Sequence, residues 1–209
     1  MTAIPWLSGA GPAQSEELVH FTGRPAGRPP TPDVPPEIRG MSAPERLDSI
    51  LTSEIIRAFP PFGATKPVIS FSESPPSHLA YLIRDKGFPP WGVVVQRGAV
   101  LRHGGGSVAY LPEKERDRFP ANLRHWVVPF RTDGEPGDWS HEREWRLPAD
   151  REGYDFSKAK LRAILIGDRE WLPSTVGSPA RLPRLWREAE QIWLWDGKKI
   201  ERRDPSLLA

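Results

Sequence analysis

The sequence predicts a single α+β domain built on a curved, mostly antiparallel sheet with a few short helices. Several short runs of apolar and β-branched residues are typical of strands. These runs do not alternate strictly with helical segments, as the parallel βαβ class requires. Many of the 25 prolines and 18 glycines fall between the runs, so we expect short elements and long ordered loops. A length of 209 residues suits one domain.

The first half of the chain is predicted to hold three strands and two helices. Residues 1–16 are expected to form a flexible arm, and residues 17–209 the domain. The strands are expected at residues 18–22, 67–72 and 91–96, and the helices at residues 44–58 and 77–86. The third strand is almost continuously apolar, which places it near the centre of the sheet.

The longer helix carries the clearest local signals. Ser42 precedes it and can cap its N-terminus. Its apolar residues recur at helical spacing, which predicts one buried face: Leu47, Ile50, Leu51 and Ile55. The preceding segment, residues 23–44, is so rich in proline that we expect it to be irregular. It is interpreted either as a lid over a site or as an insertion.

The second half is predicted to contain five more strands and one helix. The strands are expected at residues 107–111, 125–130, 142–147, 161–167 and 191–196, and the helix at residues 182–190. The last strand should end in the Asp196-Gly197 turn. His103 and the three glycines after it are interpreted as a hairpin turn between two strands, because no G-x-S-x-G nucleophile motif accompanies them.

Composition narrows the functional classes. The chain has no cysteine, which excludes a disulfide framework, a thiolate metal site and a cysteine nucleophile. With 29 basic and 27 acidic residues, overall charge gives no argument for nucleic-acid binding. No signal peptide and no apolar run of membrane-spanning length is found, so a cytoplasmic location without membrane contact is expected.

Motifs for several enzyme classes are missing or incomplete. The sequence has no phosphate-binding glycine loop, and its five histidines form no close pair that would hold zinc. Asp138, Glu142 and Glu144 could serve a metal-dependent nuclease, but a correctly spaced lysine is lacking. We therefore expect no metal ligands and keep a nuclease as a third hypothesis.

An ordered series of short motifs remains. H-F-T at residues 20–22 is followed by L-D-S-I-L, by I-S-F-S-E at residues 69–73 and by E-R-E-W-R at residues 142–146. This order resembles the start of the ADP-ribosyltransferase fold. Together with W-G-V-V-V and G-G-x-x-V-x-Y, it also resembles the AbiGi-type abortive-infection proteins of bacteria. The resemblance covers residues 18–147.

The resemblance implies NAD as a substrate, cleaved at its nicotinamide–ribose bond. The implied catalytic residues are His20, Ser72, Glu142 and Glu144. The implied NAD-binding residues are Phe21, Thr22, Arg24, Phe71, Arg97 and Trp145. The strands that carry His20, Ser70 and Glu144 should then be neighbours, with their side chains converging on one cleft.

The chemistry can also be argued from the residues. Cleavage passes through an oxocarbenium-like state that a carboxylate stabilises. Strand alternation would put Glu142 and Glu144 on one face, and His20 and Thr22 on one face. Each residue also has a structural interpretation: His20 as a half-buried strand residue, and the two acids as partners of cross-strand ion pairs.

Two hypotheses lead. The first is an NAD-dependent ADP-ribosyltransferase-like toxin or phage-defence effector, whose acceptor, protein or nucleic acid, is not specified. The second is a non-catalytic binding module, such as the antitoxin or other cognate partner of a phage-defence pair. The first hypothesis requires that the candidate residues line an open cleft, whereas the second predicts that other side chains fill the space between them.

Overall fold

A computed structural model of the protein describes residues 13–26, 33–130, 139–157, 160–177 and 181–204. The strands are β1 (Glu17–Phe21), β2 (Ile55–Ile56), β3 (Val68–Glu73), β4 (Gly92–Gln96), β5 (Gly106–Ser107), β6 (Ala109–Pro112), β7 (Val127–Phe130), β8 (Glu144–Pro148), β9 (Tyr154–Asp155), β10 (Ala163–Ile166), β11 (Ile192–Trp195) and β12 (Ile200–Arg203). The α-helices are α1 (Pro36–Arg39), α2 (Ala43–Ser53), α3 (Pro76–Arg84), α4 (Arg97–Arg102), α5 (Glu113–Arg116) and α6 (Arg184–Glu188). Short 3₁₀ helices cover Ala121–Trp126 and Ser140–Glu142.

Eight strands form one sheet in the order β12-β11-β10-β4-β1-β3-β8-β5. Among these described strands, neighbours are antiparallel except for β10 and β11, whose connection contains α6. Two small sheets pair β2 with β9 and β6 with β7. The predicted α+β class and mostly antiparallel sheet are confirmed, and β4 lies in the interior of the sheet as expected.

The sheet is covered on both faces by apolar clusters. The larger cluster, here the main core, includes Leu18, Phe71 and Trp145 from three neighbouring strands and Leu47 from α2. The smaller cluster lies on the other face, where Val19 and Val94 pack with residues of α3. Alternation along each strand therefore assigns every strand residue to one of these two faces.

The helix predicted at residues 44–58 is α2, which is shorter at its C-terminus. Ser42 forms the expected cap, and its capping box with Glu45 is complete. Glu54 then adopts a left-handed conformation with φ of 59°, which ends the helix. Ile55, predicted to be buried, begins β2 and is 38% exposed. The two β-branched isoleucines favour a strand over further helix.

The proline-rich segment is less irregular than predicted. Residues 36–39 form the single-turn helix α1, whose start is pre-set by Pro36. Arg46 holds this turn in place by donating hydrogen bonds to the carbonyls of Ile38 and Arg39. Residues 27–32 lie outside the described ranges, so the lid hypothesis stays a prediction.

The expected flexible arm also lies mostly outside the description, which begins at residue 13. Ser15 is buried, and its backbone N–H donates to the Glu73 carboxylate at 3.1 Å. At least the last residues of the expected arm therefore pack against the sheet.

Several boundaries in the second half differ from the prediction. The strand expected at residues 125–130 starts at Val127, because residues 121–126 form a 3₁₀ helix. The strand expected at residues 107–111 is divided between β5 and β6. His103 and its glycines follow the unpredicted helix α4, so they are not a hairpin turn between strands. The polar strand β12 was not predicted, although the Asp196-Gly197 turn before it was.

Candidate functional site

The three strands that carry the candidate motifs are direct neighbours. β3 pairs with β1 on one side and with β8 on the other, both antiparallel. In this register Val19 faces Ser72, and Ser72 faces Glu144. The predicted adjacency of the strands with His20, Ser70 and Glu144 is therefore confirmed.

The side chains of His20 and Glu144 do not converge as predicted. Ser70, Ser72 and Glu144 share the sheet face of Val19, as their cross-strand pairing requires. His20 alternates with Val19, and its ring contacts Phe71 of the main core, with 5.8 Å between ring centroids. The expectation of one shared cleft is wrong, because strand alternation sends the two side chains to opposite faces.

His20 nevertheless connects to Glu144 through Ser70. The His20 Nδ1 atom lies 2.8 Å from the backbone carbonyl oxygen of Ser70. The exposed Ser70 hydroxyl donates to Glu144 Oε1 at 2.6 Å. Burial lowers the pKa of His20, while the contact with the Ser70 carbonyl acts in the opposite direction.

Glu144 forms a closed network with Arg146, its neighbour on the same strand face. Arg146 donates from Nε to Glu144 Oε1 at 2.9 Å and from Nη2 to Oε2 at 3.1 Å. Both side chains are largely buried, with 12% of Glu144 and 7% of Arg146 exposed. A bidentate pair of this kind neutralises the carboxylate and occupies both of its oxygens.

The same network attaches β8 to the segments that cover it. Arg146 Nη1 donates to the carbonyl oxygens of His125 and Val127 at 2.5 and 3.3 Å. The backbone N–H of Glu144 donates to the Tyr110 hydroxyl at 2.6 Å. Desolvation raises the pKa of Tyr110, so its hydroxyl stays protonated. We call Ser70, Tyr110, Glu144 and Arg146 the Glu144 network.

Glu142 and Glu144 do not lie on one strand face. Residues 140–142 form a 3₁₀ helix, and Arg143 adopts a left-handed conformation with φ of 47° before β8 begins at Glu144. The expected alternation is therefore interrupted between the two acids. Ser72 is buried, and its hydroxyl donates to the backbone carbonyl of Glu142 at 2.5 Å and lies 2.9 Å from the Ser74 hydroxyl.

The candidate residues for NAD binding mostly make structural contacts. The Thr22 hydroxyl donates to the carbonyls of Ala43 and Trp91 at 2.8 and 3.1 Å. Phe21 packs on Phe88 with 4.8 Å between ring centroids. Arg24 is exposed beyond the end of β1.

The remaining three candidates, Phe71, Arg97 and Trp145, are buried. Phe71 and Trp145 belong to the main core. Arg97 forms ion pairs with Glu73 at 3.4 Å and with Glu16 at 3.3 Å.

Glu73 is a central residue that the sequence analysis did not single out. Its Oε1 atom accepts from the Ser15 backbone and pairs with Arg97, and its Oε2 atom accepts from the Trp145 indole at 3.1 Å. Arg143 lies 3.6 Å from Oε2. The sequence offered one signal, an acid at the end of the strand motif I-S-F-S-E. An acid at the end of a buried strand needs several hydrogen-bond donors around it.

A cavity of about 310 Å³ opens elsewhere, on the main-core side of the sheet. Phe71 is the one candidate residue in its lining, which also includes Tyr154, Phe156, Arg102 and Lys160. We call it the basic cavity. The sequence analysis assigned no role to the residues that charge it.

The nuclease hypothesis depends on acids that would hold a metal ion. Within the described ranges no group of three or more His, Asp or Glu side chains is placed to hold a metal ion. Asp138, the first acid of that hypothesis, lies outside them.

No helix among the described residues has the length and apolarity needed to cross a membrane.

Comparisons with protein-family models, with curated proteins and with solved structures found no match for this chain.

Proposed function

We propose that this protein is a non-catalytic binding module, acting in the bacterial cytoplasm as the antitoxin or other cognate partner of a phage-defence pair. The observation that carries the proposal is that the Glu144 carboxylate is already hydrogen-bonded within the protein. Both oxygens of its carboxylate accept from Arg146, and one also accepts from Ser70. The link to phage defence rests on the resemblance to AbiGi-type proteins.

An occupied carboxylate is poorly suited to the transferase reaction. To stabilise an oxocarbenium-like state, Glu144 would have to present negative charge and an open oxygen to the ribose. Arg146 instead neutralises it, and this guanidinium also holds the carbonyls of His125 and Val127. Freeing Glu144 would break its two part-buried hydrogen bonds from Arg146 and leave that guanidinium without its charge partner, which is costly.

One observation favours the enzyme as a second candidate. Ser70 is exposed and contacts both other polar residues of the motif series: its hydroxyl donates to Glu144, and its backbone carbonyl lies within hydrogen-bond distance of His20 Nδ1. An NAD-dependent ADP-ribosyltransferase-like effector, modifying a protein or nucleic acid, would use these three residues if ligand binding separated Glu144 from Arg146.

Nicotinamide release from NAD tests the choice between the two. The assay compares wild type with Glu144→Gln, and with Glu170→Gln as a matched control at an exposed acid. For a binding module we expect no release by any of the three proteins. We also expect a lower melting temperature for Glu144→Gln alone, because that change removes the ion pair with Arg146.

Release by wild type and Glu170→Gln, lost in Glu144→Gln, would overturn the proposal and favour the enzyme. Calorimetric titration with NAD accompanies the assay, so that binding and turnover are measured separately.

A further inference from the structure

The basic cavity carries uncompensated positive charge. Among the described residues, its lining has three basic side chains, Arg102, Lys160 and Arg162, and one acid, Glu190, which is a surplus of two positive charges. Arg162 is already paired with Glu190 and with Glu17. Within the described ranges Arg102 and Lys160 are exposed and form no ion pair. The cavity therefore has two cations available for an anionic ligand.

Aromatic side chains form the other part of the lining. Tyr154 packs on Phe156 with ring centroids 4.8 Å apart. His103 packs edge-on to Tyr154 at 5.1 Å, and its Nε2 atom lies 2.9 Å from the Tyr154 hydroxyl. Phe71 and Phe156 are buried in the main core, so Tyr154 and His103 are the rings that a ligand in the cavity can reach. Such a wall suits a planar ring, because stacking on aromatic side chains tolerates different bases.

The volume limits the size of the ligand. About 310 Å³ is at the lower end of the range of roughly 300–1,000 Å³ that small-molecule pockets occupy. A single nucleotide fits that size better than a dinucleotide. A phosphate monoester carries about −1.5 to −2 charges at neutral pH, which matches the two available cations.

We propose that the basic cavity binds a nucleoside monophosphate, with its phosphate between Arg102 and Lys160 and its base against Tyr154 and His103. This inference deepens the proposed binding role and rests on it in one respect, namely that the ligand is held and not cleaved. The contacts expected are charge-assisted hydrogen bonds from the two cations and stacking on the aromatic wall.

Calorimetric titration with AMP, GMP, CMP and UMP tests the proposal, with adenosine and inorganic phosphate as single-feature probes. The variants are Arg102→Gln, Lys160→Gln and their double. The control is the double variant Lys114→Gln/Arg118→Gln, which removes the same charge from exposed residues outside the cavity. Melting temperatures establish that each variant is folded.

We expect at least one monophosphate to bind more tightly than both adenosine and phosphate. Each single variant should weaken it about tenfold, since hydrogen bonds to charged groups are worth about that factor. The control should bind like wild type. No monophosphate binding, equal binding by the cavity double variant, or phosphate binding as tightly as the nucleotide would each overturn the inference.

The two proposals fail separately. Glu144-dependent nicotinamide release would overturn the non-catalytic function whatever the titration shows. Loss of the cavity inference would leave that function standing, with its ligand elsewhere.

Discussion

The Glu144 network and the basic cavity lie on opposite faces of one sheet. Charges are neutralised within the network, whereas two charges of the cavity are not. In the network, the carboxylate and guanidinium neutralise each other and bond the surrounding backbone. In the cavity, two cations face an open volume without a carboxylate partner in the described chain. Charged residues in a sequence motif can thus serve the fold, while charges outside any motif remain available for a ligand.

Substitutions of buried, partnered polar residues in or near the network should therefore cost more stability than matched substitutions at the cavity. Buried charges that lose a partner destabilise strongly, whereas exposed charges contribute little. Four predictions, each measured by urea denaturation, test that difference.

The largest effect is expected for the two arginines. Arg146→Met leaves Glu144 and two backbone carbonyls without their partner, and it should lower the free energy of unfolding by about 3–5 kcal/mol. Arg102→Met, an exposed change in the cavity, should stay within about 0.5 kcal/mol of wild type. Similar losses for both variants would remove the distinction between the regions.

The next largest effect is expected for two acids on the main-core side. Glu73→Gln removes the charge that pairs with Arg97 and Arg143 inside the protein, and it should cost about 1–3 kcal/mol. Glu190→Gln breaks a pair whose acid is 41% exposed, and its effect should be within about 1 kcal/mol. A larger loss for Glu190→Gln would show that the cavity rim supports the fold.

Two tyrosines provide a comparison with a single atom removed. Tyr110→Phe leaves the Glu144 backbone N–H without its acceptor, and we expect a loss of about 1–2 kcal/mol. Tyr154→Phe removes a hydroxyl that contacts His103 at the exposed cavity, with an expected change below about 0.5 kcal/mol. Equal effects would mean that the Tyr110 contact is replaced by water.

The smallest effect is a dependence on pH that arises beside the network. Burial, with the positive charges of Lys66 and Arg146, lowers the pKa of His125 below its unfolded value of 6.5. The unfolded state then binds the proton first as pH falls, so stability present above pH 6.5 is lost below it.

Between pH 7.5 and 6.0 the protein should therefore lose stability in proportion to the proton that His125 binds more readily in the unfolded state. The loss should shrink in His125→Gln, while carboxylate contributions common to both proteins cancel. An unchanged pH slope in the variant would assign the acid sensitivity to other groups.

Much of the fold was predictable because apolar runs determine strands. β4 and β10 are continuous buried runs, and the capping signal of Ser42 located the start of α2. The predicted boundaries of helices and strands are wrong where a single residue changes the backbone conformation. Glu54 and Arg143 adopt left-handed conformations although neither is a glycine. β12 is too polar to show a strand pattern.

The candidate site was less predictable than the fold. The resemblance to the ADP-ribosyltransferase fold correctly predicted that β1, β3 and β8 are neighbours. It did not reveal that Arg146, two residues from Glu144, would occupy the carboxylate. The cavity combines residues from α4, β9 and the segment before β10, which are close only after folding.

The strand order of the large sheet has a consequence for how the protein is made. Outward from β1, the strands on one side are β4, β10, β11 and β12, which is the order in which a ribosome would synthesise them. Once β4 has emerged, β4, β1 and β3 can already pair. Both edges of this early three-stranded unit stay open until β8 and β10 arrive, and open apolar edges favour aggregation. Newly made chains should therefore depend most on chaperones during this interval. The C-terminal strands β10, β11 and β12 complete the sheet by covering the open edge of β4.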